Sequence, residues 1–117
     1  MERSGGLLSW QFSLYPDGHH DRVNLVLHAL TVPLFWSGTV AVAMSWTWPW
    51  LALIGFGAMV TVIALQGRGH KRETTRPVPF NGPLDFVSRI FVEQWVTFPR
   101  YVLSGGYARA WKSNHGK

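Results

Sequence analysis

The sequence predicts an all-α, helical integral membrane protein: a two-span antiparallel hairpin followed by a third, amphipathic helix that is either interfacial or spanning. Three observations predict this fold. Residues 23–67 contain no Asp, Glu, Lys or Arg, an uncharged stretch of 45 residues. All 11 basic residues lie outside that stretch, and four of the seven tryptophans lie within it. The whole chain, 117 residues, is enough for one domain, so we treat 1–117 as a single membrane domain.

Two spans fit the uncharged stretch, because a transmembrane helix needs about 20 residues to cross a hydrocarbon core of about 30 Å. The break falls in the tryptophan-rich segment at Pro49, since proline disfavours helix at the residue before it and indoles favour the headgroup level. The first span is predicted over 23–44, with Pro33 inside it, and the second over 49–66. A soluble domain this short is too small to bury two long helices that are apolar on every face.

A proline-rich segment separates the hairpin from a third apolar segment, which we predict as a helix over 84–103. Asp85, Arg89 and Glu93 recur there at every fourth position and form one charged stripe. The first interpretation is a helix that lies in the cytoplasmic interface. The alternative is a third span whose stripe is turned inward, in which case Glu93 reaches the site described below.

The basic charge is interpreted as a topology signal. The net charge is +5, but the basic residues border the spans while the hairpin loop carries no charge. The positive-inside rule therefore places both termini in the cytoplasm and predicts a multi-pass protein, of the inner membrane in a bacterium. Nothing beyond the charge supports a nucleic-acid partner, and we expect no cleavable signal peptide. The tail, 104–117, is expected to be frayed or to rest on lipid headgroups.

Two polar stripes meet at one end of the predicted hairpin. The first opens span one and the second closes span two, and in an antiparallel hairpin those are the same end. At about 100° per residue, each stripe covers no more than about 80° of its helix. The first stripe comprises His20, Asn24 and His28, and the second comprises Gln66, His70 and Glu73.

The chemistry of these residues suits a metal site or acid/base catalysis, and equally a structural polar network. The chain has no cysteine, which excludes a disulfide framework, a thiolate metal site and a thiol nucleophile. Imidazole and carboxylate without thiolate suit Fe(II), Mn(II) or Zn(II), and Asn24 and Gln66 would orient the ligands or contact a substrate. A structural His/Asn/Gln network is the alternative that the residues alone leave open, since a single interfacial histidine is more often hydrogen-bonded than a ligand.

Two segments form longer motifs: 19–28, HHDRVNLVLH, followed by Pro33, and 66–80, QGRGHKRETTRPVPF. Together, and over roughly residues 15–103, the sequence resembles the membrane proteins related to the fungal 2-hydroxy fatty acid dioxygenase. The resemblance implies a multi-helix membrane protein. For the characterised fungal member it also implies Fe(II)-dependent dioxygenation, which shortens a 2-hydroxy fatty acid by one carbon in the α-oxidation that degrades phytosphingosine.

The resemblance also implies which histidines bind the iron. His19, His28 and His70 match histidines of the family and are the expected Fe(II) ligands. His20 is the competing choice to His19, because helical phase favours His20 while the usual family spacing favours His19. Glu73 follows His70 by three residues where the family spacing is four, which leaves the role of its carboxylate as a ligand open.

The leading hypothesis is therefore an Fe(II)-dependent dioxygenase that acts on 2-hydroxy fatty acids, whose chain lies in the bilayer. Catalytic roles are expected for Asn24, Gln66 and Glu73, and Arg68 or Arg72 is expected to hold the substrate carboxylate. A second departure from the family, Gly67 with Arg68 in place of a usually apolar pair, makes the end of span two more polar, so that this span either ends earlier or opens a substrate portal.

Other functions remain open from the sequence. One is a non-enzymatic membrane scaffold or lipid-binding protein, in which the histidines form a structural network. Another is zinc-dependent chemistry on a lipid, such as hydrolysis. Because two helices make a thin wall around a metal, we expect the third segment or a second copy of the chain, as a homo-oligomer, to close the site.

Overall fold

The computed structural model describes residues 6–113, and within that range the chain is helical with no strand, which confirms the all-α prediction. A 3-10 turn at Tyr15–Gly18 follows the first helix, and a π-helical segment at Glu93–Thr97 joins the fourth helix to the fifth. The α-helices are α1 (Gly6–Leu14), α2 (Arg22–Met44), α3 (Trp50–His70), α4 (Pro83–Val92), α5 (Phe98–Leu103) and α6 (Gly106–Ser113).

Helix α2 coincides with the predicted first span to within one residue. It begins where the Asp21 side chain accepts a hydrogen bond from the Asn24 backbone N–H at 3.1 Å, an N-cap that satisfies one of the free donors of the first turn. The helix continues through Pro33 to its end at Met44. Helix α3 extends to His70, four residues beyond the predicted end at Gln66, and so carries His70 on the same helix as the apolar stretch.

Both helices are long and apolar enough to cross a membrane, and most of their apolar surface is not buried inside the protein. Only 33% of the apolar window of α2 and 22% of that of α3 is buried inside the protein. Large side chains on their outer faces are exposed, among them Leu30 and Leu53 at 70% and 80%. A core helix of a soluble domain would bury most of this surface, because exposed apolar area is unfavourable in water.

The two long helices run antiparallel and approach closely where each has a glycine. A Cβ added at Gly38 would lie 2.8 Å from the carbonyl oxygen of Gly55, and one at Gly55 would press on Val42 at 2.9 Å. At the other end of the pair, a Cβ at Gly69 would overlap the side-chain oxygen of Asn24. Small residues of this kind allow helix backbones to approach closely, as is common between membrane helices.

The predicted third helix, 84–103, is present as the continuous run of α4, the π segment and α5. Its charged stripe faces inward: the side chains of Asp85 and Arg89 are each 11% exposed and that of Glu93 is 13% exposed. Its outer face is apolar, with Leu84 and Leu103 at least 80% exposed. The charged stripe of this helix is therefore turned inward, as in the alternative given above, and Glu93 reaches the interior.

Both ends of the described range, 6–113, form helices that the sequence did not reveal. Helix α1 buries Trp10, and its Gln11 side chain donates to the Arg89 carbonyl at 2.9 Å. The prediction of a frayed tail is wrong for Gly106–Ser113, which is helix α6, because Ala110 is buried in the core. His115, within the predicted tail, lies outside the described residues.

The glycine contact predicts a selective loss of stability in α3. Replacing Gly55 with Ala should destabilise the protein by about 1–3 kcal/mol, the usual cost of overpacking a tight contact. Gly57→Ala is the matched control, because a Cβ at Gly57 meets open space. Thermal unfolding followed by circular dichroism in detergent checks this: equal melting temperatures for the two variants would contradict the role of the Gly38–Gly55 contact.

Candidate metal centre

Four side chains converge at the end of the hairpin where α2 begins and α3 ends. His28 lies on the second turn of α2 and His70 is the last residue of α3. His19 lies in the short segment before α2, and Glu93 opens the π segment. One ligand atom from each of the four lies within 4.8 Å of the others, so this His/Glu cluster can hold a metal ion.

The hydrogen bonds of two histidines fix which ring nitrogen faces the cluster. His19 Nδ1 lies 2.8 Å from the Tyr15 carbonyl oxygen, and His28 Nδ1 lies 3.0 Å from that of Asn24. A carbonyl oxygen only accepts, so both Nδ1 atoms carry the hydrogen in these contacts. In the neutral imidazole each Nε2 is then a lone pair, and metal-ligating histidines are commonly oriented by such a bond to a backbone carbonyl.

Both Nε2 atoms face the same carboxylate oxygen. Glu93 Oε2 lies 3.5 Å from His19 Nε2 and 3.2 Å from His28 Nε2. Two lone pairs that face a carboxylate need positive charge between them, supplied by a proton on a ring or by a bound cation. Two ligand atoms that each lie about 2.1 Å from one ion are about 3.0 Å apart at an octahedral angle and about 3.4 Å apart at a tetrahedral angle. Both N···O distances in the cluster are close to this range.

Unpaired buried nitrogens complete the donor set. His19 Nε2 and His70 Nδ1 are both buried and have no hydrogen-bond partner among the described residues. Burial lowers the pKa of His19, despite the opposing effect of Glu93, and thus favours the neutral imidazole that binds metals. A buried polar atom without a partner is costly, so three imidazoles and one carboxylate in this arrangement fit a bound divalent cation of the Fe, Mn or Zn type.

Tyr15 contacts two members of the cluster. Its hydroxyl donates to Glu93 Oε2 at 3.0 Å, while its carbonyl oxygen accepts from His19 and its ring stacks on the His19 imidazole at 3.6 Å between centroids. The ring planes differ by only 12°. Tyr15 therefore restrains both an imidazole and the carboxylate, which is the function of residues that orient metal ligands.

A cavity gives small molecules access to the cluster. It has a volume of about 780 Å³, and His19, His70 and Glu93 all line it. Small-molecule sites in proteins are typically about 300–1,000 Å³, so the cavity is large enough for a substrate beside the cluster. The arrangement can thus combine a cation with a second ligand in one partly enclosed space.

The predicted catalytic residues surround the cluster, and none of them is a member of it. Asn24 donates from its side chain to Glu73 Oε2 at 2.7 Å, and Glu73 also accepts from the backbone N–H groups of His20 and Asp21. These bonds fasten the segment that bears His19 to the turn after α3. Asn24 and Glu73 therefore position a ligand-bearing segment.

Gln66 forms a buried polar network beside the cluster. It exchanges two hydrogen bonds with Gln94, at 3.1 and 2.7 Å, and donates to the Thr31 hydroxyl at 2.9 Å. Trp36 donates its indole N–H to the carbonyl oxygen of Gln94 at 2.6 Å. These bonds connect α2 and α3 to the π segment and so fix the position of Glu93, the preceding residue.

Three predicted residues lie away from the cluster. His20 is exposed and outside the group, because α2 begins only at Arg22 and the helical phase that favoured His20 does not extend back to it. Arg72 pairs with Asp21 at 2.7 Å, and Arg68 is exposed; neither lines the cavity. Among the competing pair of histidines, the geometry brings His19 to the cluster.

Sequence reasoning left two important residues without a definite role. Glu93 was recognisable only as part of the stripe on the third helix, and its contribution depended on how that helix packs. Tyr15 had no visible signal except that it lies four residues before His19. A contact such as the Tyr15–Glu93 hydrogen bond joins residues 78 positions apart and cannot be inferred from local spacing.

Comparison of the chain with models of protein families, with curated proteins and with solved structures finds no match. The resemblance to the dioxygenase-related membrane family therefore stays a prediction that depends on the two motifs. The cluster, by contrast, is described by its own distances and hydrogen bonds, and it does not depend on that resemblance.

Metal content should depend on the histidines of the cluster. His28→Ala and His70→Gln are each expected to lose most of the bound metal, because each removes one of four ligands. His20→Ala is the control, since its ring lies outside the group. Elemental analysis per folded chain, with helicity checked by circular dichroism, measures the effect; wild-type metal content in all three variants would exclude this site.

Tyr15 should tune the affinity of the cluster for metal. Tyr15→Phe keeps the ring and the backbone carbonyl but removes the hydroxyl that donates to Glu93, so we expect affinity to fall by about 10–100-fold. Tyr107→Phe is the matched control, because that hydroxyl donates to the Leu25 carbonyl at 2.8 Å, away from the cluster. Titration with Co(II) followed by its visible spectrum reports both affinity and geometry. Indistinguishable titrations would show that Tyr15 does not position the ligands.

Proposed function

We propose that the protein is a membrane-embedded, Fe(II)-dependent dioxygenase that acts on 2-hydroxy fatty acids. The observation that carries this proposal is the His/Glu cluster beside a cavity, at one end of two long apolar helices. A site built of histidines and one carboxylate is typical of non-haem iron enzymes that bind substrate and O₂ in open positions. The resemblance of the two sequence motifs supports the same activity.

The exposed apolar faces of α2 and α3 support insertion in a bilayer, with the cluster at one membrane face. Basic residues lie at the cluster end, including Arg68 and Lys71, whereas the hairpin loop has no charge and exposes Trp46 at 94%. By the positive-inside rule, the cluster then lies at the cytoplasmic face and the loop on the opposite side. An amphiphilic substrate would reach this site from the membrane.

The proposed reaction balances without an external reductant. A 2-hydroxy acid, R–CH(OH)–COOH, reacts with O₂ to give R–COOH, CO₂ and H₂O. The bond between the α carbon and the carboxyl carbon breaks, and the substrate supplies all the electrons that reduce O₂ to the level of water. When bound, Fe(II) would supply the coordination of the substrate oxygens and the activation of O₂.

The residues of the protein would bind the ion and keep its ligands in position. His19, His28, His70 and Glu93 would hold the ion. The Tyr15 hydroxyl is directed at Glu93 Oε2 and keeps that oxygen in place through its proton. The buried Gln66–Gln94 pair holds α3 against the π segment that carries Glu93.

Turnover by purified protein tests the proposal. Protein in lipid nanodiscs, loaded anaerobically with Fe(II), should convert 2-hydroxypalmitate and O₂ into the acid one carbon shorter, measured by mass spectrometry together with CO₂. Glu93→Gln should lower the rate by at least about 100-fold, the scale of losing a well-placed charged group in a site, while Tyr107→Phe should keep it. Folded, iron-loaded protein without this product would refute the activity.

The reciprocal Gln66–Gln94 bonds favour a second candidate function, a non-enzymatic lipid-binding protein with a structural polar network. That function predicts purified protein without stoichiometric metal. Recovery of zinc in place of iron would instead point to hydrolysis of a lipid. Elemental analysis of the protein as purified, compared with the turnover assay, distinguishes all three.

A further inference from the structure

Two helix faces with the same spacing border the cavity beside the cluster. Each set of residues follows the i, i+3, i+4, i+7 pattern of one face of a helix and ends on a member of the cluster. Each set also begins on a large apolar residue seven positions earlier. The two sets are Ile63, Gln66, Gly67 and His70 on α3, and Phe86, Arg89, Ile90 and Glu93 on α4 and the π segment.

Gly67 lines the cavity with no side chain, so α3 leaves free space there. A Cβ at this residue would meet no heavy atom within 4 Å. At about 1.5 Å of rise per residue, Gly67 lies about 5 Å along the helix from His70 and about 6 Å from Ile63. A large side chain at Gly67 would therefore stand between the cluster and the apolar wall of the cavity.

Cations without a partner line the same cavity. The side chains of Lys71 and Arg76 are exposed, and neither side chain forms an ion pair or a hydrogen bond with another residue of the range 6–113. Arg89, by contrast, donates to two backbone carbonyls and pairs with a carboxylate of its own helix. Three acidic residues line the wall. Glu73 is already engaged by three N–H donors, Glu93 accepts from Tyr15 and faces the histidines of the cluster, and Asp17 is exposed.

We propose that this cavity binds a long-chain carboxylate, with the alkyl chain along α3 past Gly67 to Ile63 and the carboxylate facing Lys71 and Arg76. The apolar wall accommodates the chain through burial of its methylene groups, and the two cations attract the head. The identity of the natural ligand as a 2-hydroxy acid rests on the proposed function. The binding itself does not, because it needs no metal and no turnover.

Binding to metal-free protein tests this inference. Spin-labelled stearic acid is titrated into chelator-treated protein in nanodiscs, and the immobilised fraction is measured by electron paramagnetic resonance. Gly67→Phe should weaken specific binding by about tenfold or more, because the phenyl ring would occupy space that the alkyl chain needs in the apolar pocket. Gly57→Phe is the matched control: it lies on the same helix, its Cβ also meets open space, and it does not line the cavity.

Two outcomes would overturn the proposal, one for the path of the alkyl chain and one for the recognition of the carboxylate. Equal binding by Gly67→Phe and Gly57→Phe, with both variants folded, would show that the chain does not pass Gly67. Equal binding of the probe and its methyl ester would show that Lys71 and Arg76 do not recognise a carboxylate. Failure of the proposed reaction looks different, because the acid would still bind at Gly67 while iron-loaded protein gave no shortened product.

Discussion

The close approach of α2 and α3 is the constraint on which the rest of the structure depends. At one end the backbones meet at Gly38 and Gly55, and at the other Gly69 packs directly on the side chain of Asn24. The second contact lies immediately before His70 and four residues before His28. A larger residue at Gly69 would separate the helices at the position where their histidines must converge, so glycine there is a condition for the cluster.

Hydropathy and helical spacing were sufficient to predict the hairpin, because the length and apolarity of a helix are properties of a local stretch of sequence. The convergence of His28 and His70 followed from the antiparallel arrangement alone. The choice between His19 and His20 did not, because it depends on a 3-10 turn and on an N-cap at Asp21, which place the start of α2 after both histidines. The inward orientation of Glu93 depends on packing between distant segments, which spacing does not encode.

The π-helical segment explains how one helix directs several polar groups inward. Glu93 belongs to the cluster, the Gln94 side chain bonds to that of Gln66, and Thr97 is 1% exposed. In a regular α-helix adjacent side chains diverge by about 100°, whereas a wider π turn changes the phase of the residues that follow it. Such segments are frequent at functional sites, and here it begins on the carboxylate of the cluster. The Trp36 indole N–H donates to the backbone carbonyl of Gln94, within that segment.

The hydrogen bond between Tyr15 and Glu93 joins positions 78 residues apart, and this separation determines when the site can form. The hairpin closes a short loop and can assemble as soon as α3 has been synthesised, because contacts between neighbouring segments have a small entropic cost. The cluster must wait until the third helix has been made and has returned to the N-terminal segment. Its assembly is therefore a late step of biogenesis, and the nascent chain carries its histidines without the carboxylate that completes the set.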